Sequence, residues 1–119
     1  MALLAEIFPA FYGELRRSLM KIKRSDLADQ LPGLTLERWT HDPGIGVYIT
    51  VGGTRPLNIV EQYVIGVKHG ESIELDDCDG LVVIDTDNFA RVTGIEVMGR
   101  RDVLKALRRA HPPAPPAAE

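Results

Sequence analysis

The sequence predicts an α+β domain: an N-terminal helical segment, an antiparallel β-meander sheet of about 4–6 strands, a C-terminal helix and a disordered Pro/Ala tail. Three observations carry this expectation. Apolar residues recur every three or four positions up to about residue 31. From Leu34 to Met98 the period changes to strand patterns, alternating every second position at Leu34–His41 and Val47–Val51 and running continuously apolar at Leu81–Ile84. The three-or-four spacing then returns after Gly99. A chain of 119 residues suits one core rather than two. The expected organisation is 1–33 as helical segment, 34–111 as sheet plus helix, and 112–119 as tail.

In the first segment Phe8, Tyr12, Leu15, Leu19 and Ile22 form one stripe, with Pro9 suited to a first helical turn. A short arm, 2–8, thus precedes a helix from Pro9 to about Lys23. Ser25-Asp26 caps a second short helix ending near Leu31, and Pro32-Gly33 turns the chain. Leu34 to His41 and Val47 to Val51 read as strands around the turn Asp42-Pro43-Gly44. Asn58 to Val67, rich in β-branched residues, is a third strand candidate whose early part also fits a helical turn. A turn at 68–71, a short strand from Ser72 to Leu75, an apolar strand at Gly80 to Asp85 and a last strand from Arg91 to Met98 follow. Asp102 opens the final helix, whose apolar side is Val103, Leu104, Leu107 and Ala110.

Apolar residues make up 45% and charged residues 26%, a globular composition, and the net charge of -3 argues against a dedicated DNA binder. The single cysteine, Cys78, rules out an internal disulfide. Residues 1–7 lack the basic start of a signal peptide, and no apolar run reaches the ~18 residues of a membrane span. These features place the chain in the cytoplasm.

Two stretches resemble a small bacterial family of unknown function, DUF2283. HDPGIGVYI, residues 41–49, is similar to the family's YDPxxDALYI. DGLVVIDTDNFARVTGIEVM, residues 79–98, resembles its hydrophobic strand, acidic turn and VxGIEIL. The first motif is one residue short, and Ala90 stands at the family's turn glycine. The resemblance implies a small α+β fold and no particular activity. It also implies, weakly, an antitoxin-like role beside a small toxin or nucleic acid.

No catalytic constellation has convincing spacing, so a non-enzymatic protein without cofactor or metal is expected. Asp85, Asp87 and Glu96 match positions 1, 3 and 12 of a calcium loop, but Phe89 and Ala90 break the pattern. His41-Asp42 and His69 are candidates for an acid–base pair, and Gly52-Gly53-Thr54-Arg55 for an anion cradle. Carboxylates around Cys78 disfavour a reactive thiolate. The helical segment carries the leading expectation, self-association or binding of a protein partner through Leu4, Phe8, Phe11, Tyr12, Leu15, Leu19 and Ile22. The same stripe also fits as plain cover for the sheet. Arg16, Arg17, Lys21, Lys23 and Arg24 are the candidates for anion or nucleic-acid contact.

Overall fold

A computed structural model of the protein describes residues 2–110. Among these residues five strands form one sheet, and four α-helices lie before and after it in the chain. The helices are α1 (Leu4–Ile7), α2 (Pro9–Lys21), α3 (Ser25–Ala28) and α4 (Arg101–Ala110). The strands are β1 (Thr35–Asp42), β2 (Gly46–Gly52), β3 (His69–Glu74), β4 (Leu81–Asp87) and β5 (Val92–Met98). The α+β class and the antiparallel sheet agree with the sequence reading. The tail expected at 112–119 lies outside the described residues.

Every strand pair is antiparallel, in the order β1-β2-β5-β4-β3. The meander is therefore in two pieces, β1–β2 and β3–β4–β5, joined where β2 pairs with β5. The link between the pieces, residues 53–68, crosses the end of the sheet to its far edge. No strand forms in that link. Residues Val60–Ile65 instead make a π-helical turn, which corrects the strand expected at 58–67.

One face of the sheet is covered. Trp39, Ile49, Ile84 and Ile95 point into the core, and Phe11, Leu15 and Leu19 of α2 come down on them with Leu27 and Leu31. Val103 and Leu107 of α4 close the same layer. Pro9 sits in the first turn of α2, where its missing N–H costs nothing. Lys23 adopts a left-handed φ of 63° and ends that helix, letting Arg24 donate back to Leu19.

In β1 the alternation breaks. Leu36 and Trp39 are both buried although three residues apart, because the register shifts between Leu36 and Arg38. A bulge of this kind inserts one residue and returns the strand to its buried face.

Candidate interaction surface

The 53–68 link is built to hold a short helix away from the core. Asn58 and Glu61 cap its start reciprocally. Asn58 Oδ1 accepts from the Glu61 N–H at 2.8 Å, and Glu61 Oε1 accepts from the Asn58 N–H at 3.1 Å. Arg55 grips both oxygens of Glu61, at 3.0 and 2.8 Å. Those bonds, Arg55 first, hold the Glu61 carboxyl down at about 2, so it is ionised at any ordinary pH. Gly66, with φ 83°, stops the turn and donates its N–H to the Glu61 carbonyl at 2.9 Å. That five-residue span is the π-helical bond, a rare geometry found mostly as single turns and frequent at functional sites.

The base of the link is fastened to the β4–β5 turn. Asn88 accepts from the Lys68 N–H at 2.8 Å and donates to the Gly66 carbonyl at 3.1 Å. Arg91 Nη1 donates to the Arg55 carbonyl at 3.0 Å. Arg91 is itself set by Asp87, 3% exposed, which accepts from Arg91 Nε at 2.7 Å and from the N–H groups of Phe89 and Arg91. Burial pushes the Asp87 carboxyl up, but the Arg91 and Phe89 donors outweigh it and hold it below its ordinary value.

This rigid base presents an apolar tip. Ile59, Tyr63 and Val64 are 75%, 74% and 76% exposed, and Val60, Ile65 and Val67 are each at least half exposed. No residue of the π-helical turn is buried. Summed over whole residues, backbone and the Tyr63 hydroxyl included, the six exposures come to roughly 700 Å², the same order as the ~300–600 Å² of a typical monomer's largest apolar patch.

The open face of the sheet carries a polar chain. Tyr48 lies across Gly94 and donates to Asp85 Oδ2 at 2.8 Å. Ser72 donates to Asp85 Oδ1 at 2.7 Å and lies 3.3 Å from His69 Nε2. Burial, then the Asp85 bond and charge, push the Tyr48 phenol up to about 12. Serine, histidine and aspartate meet here, but in an unproductive order. A nucleophilic serine needs the imidazole between itself and the carboxylate. Here the serine sits in the middle and donates its hydrogen bond to the carboxylate.

The other candidates fall apart or find structural roles. Leu4, Phe8, Phe11, Leu15 and Leu19 are buried in the protein's own core, so the stripe expected to serve assembly covers the sheet. Tyr12 packs partly against that core, and Ile22 is exposed at the end of α2. Arg17 and Lys21 reach Asp77 at 3.6 and 3.1 Å, while Arg24 pairs with Asp26 and Glu71. Three of the five basic candidates are thus answered by acids of the same chain, leaving Arg16 and Lys23 on the surface.

His41 and His69 lie in β1 and β3, the two opposite edges of the sheet, and form no pair. Asp85 and Asp87 serve different hydrogen-bond networks, and no group of three or more metal-ligating side chains occurs among the described residues. Arg55 of the anion-cradle segment is committed to Glu61. Cys78 is buried, 3.3 Å from Ser18 Oγ, and its burial pushes the thiol up. Among the described residues no helix is long and apolar enough to cross a membrane.

The apolar tip is the feature that the sequence reading missed. Its signals were present. Asn58-Ile-Val-Glu61 has the capping-box spacing, and Gly66 stands where a helix stops. No family model, curated protein or solved structure matches the chain.

Proposed function

We propose that this is a non-enzymatic interaction protein whose docking element is the segment 59–67. One observation carries the reading. Six large apolar side chains stand exposed on nine residues, while capping, ion-pair and turn bonds hold their backbone in place. Exposed apolar surface costs solubility, and contiguous patches of this size mark contact sites. Preorganisation lowers the ordering cost of binding. This relocates the assembly role from the N-terminal helices to the β2–β3 link.

The chain purified gently from the cells that make it is expected to carry a stoichiometric protein mass. Tyr63→Asp and Val64→Asp variants should lose that mass and keep the wild-type circular dichroism. Equal retention by wild type and variants refutes the reading.

A second reading, a regulator touching nucleic acid, draws support from α4 rather than α2. Arg101, Lys105, Arg108 and Arg109 line one exposed side of that helix. Binding should then weaken steeply between low and moderate salt. Salt-independent binding, or none, removes this reading.

A further inference from the structure

We infer that the partner seated on the 59–67 segment is a second copy of this chain, in a two-fold arrangement that packs one apolar tip against the other. The inference rests on the docking reading above and narrows it to one occupant.

Charge is the first argument. A two-fold interface sets a surface against itself, so any uncompensated charge near its centre meets its own sign. Between Pro56 and Val67 the only ionisable carboxylate is Glu61, and Arg55 neutralises it through two bonds. The tip therefore offers a charged partner nothing to pair with and offers its own copy nothing to repel. Much of the remaining exposed surface is unlike this. Exposed Asp76 and Asp79 and the basic side of α4 would each oppose themselves across such an axis.

Area is the second argument. The six residues together expose roughly 700 Å², backbone included, enough to supply the apolar centre of the ~800 Å² per partner of a standard stable interface. Asn58 and Lys68, at the two ends of the segment, supply the polar rim such a patch needs, while Gln62 lies between the apolar residues.

Edge-to-edge pairing is the competing route to a dimer. At the β1 edge Leu3 already bridges Thr35, and Glu37, Arg38 and Asp42 are exposed; the other edge is β3, which among the described residues has only β4 beside it. Glu71 and Glu74 lie on that strand and are exposed. Charged edges of this type resist addition of another strand. The end of the sheet, where the tip projects, is left as the assembly surface.

Sedimentation equilibrium of the full chain should give twice the 13.1 kDa chain mass. Val64→Asp and Tyr63→Asp should each raise the dissociation constant by about tenfold or more, as expected for an apolar anchor near the centre of an interface. Both sites are solvent-exposed, so circular dichroism should stay at wild type. A Gln62→Cys variant adds a test that does not burden folding. Near a two-fold axis its thiol meets its own copy, so mild oxidation should yield a disulfide-linked dimer while buried Cys78 stays reduced.

A wild-type monomer that retains a different protein, lost on Val64→Asp, overturns the second-copy inference and leaves the docking reading standing. A dimer of unchanged strength in Val64→Asp overturns both. A Gln62→Cys chain that stays uncrosslinked while dimeric overturns the two-fold arrangement.

Discussion

Asp87→Asn reaches the support of the docking element without touching its surface. In the wild type the carboxylate is almost wholly buried and holds three donors, the Phe89 and Arg91 N–H groups and Arg91 Nε. An asparagine keeps one acceptor oxygen. Its NH₂ group cannot accept from the Arg91 guanidinium, which loses its counter-charge at a half-buried position. Losing a charged hydrogen bond and stranding a partly buried cation together cost about 2–4 kcal/mol. Folding lowers the Asp87 carboxyl below its ordinary value of about 4. Such a group stabilises the fold above its unfolded pKa, and that contribution is lost as pH falls through the folded value.

The gap between wild type and Asp87→Asn should therefore be full at pH 7 and shrink on acidification below the ordinary carboxylate range. Urea denaturation of both proteins across that range measures it. Amide exchange adds a local readout, because Arg91 also holds the Arg55 carbonyl at the foot of the link. The Gln62 and Gly66 amides should exchange faster in the variant than the sheet amides do. Equal stability at neutral pH, or a gap that does not narrow in acid, would refute this account of the turn.

Three other perturbations test the scaffold. Gly94→Ala puts a methyl group where the Tyr48 ring lies, so the tyrosine must leave Asp85; its phenol should fall from about 12 toward the ordinary 10 in a spectroscopic titration. Leu15→Ala empties a fully buried site between α2 and the sheet and should cost about 2–5 kcal/mol in denaturant unfolding. Arg100→Met removes a side chain that pairs with Glu14 and Asp102 and lies over the Phe11 ring at 5.1 Å; it should destabilise by about 2–4 kcal/mol, largely restored by adding Glu14→Gln.

The strands with strict alternation were legible because a half-buried sheet leaves a period of two in the sequence. Ile49 and Val51 sit in one face and Tyr48 and Thr50 in the other, as their spacing requires. The α2 stripe was legible as apolar but not as to what it faces. Phe11 and Leu19 carry no mark that separates covering a sheet from meeting a partner; burial decides that. The strand order was hidden because it depends on where a sixteen-residue link crosses (53–68), and no local residue records that path.

The 58–67 segment was misread for a definite reason. Ile59, Val60, Val64, Ile65 and Val67 favour strands by composition, and here no buried neighbour enforces a strand. Two end signals outweigh composition at this place, the Asn58–Glu61 box and Gly66. The His69–Ser72–Asp85–Tyr48 chain was likewise invisible, since it joins three strands through register rather than spacing.

The central claim is that 59–67 is the contact surface, and hydroxyl-radical footprinting of Tyr63 tests it most directly. Labelling is followed as the protein concentration is raised through the expected dimerisation. Tyr63 should become progressively protected, while Met20, exposed on α2, keeps its reactivity as an internal control. Association that leaves Tyr63 as reactive as in the monomer would contradict the account.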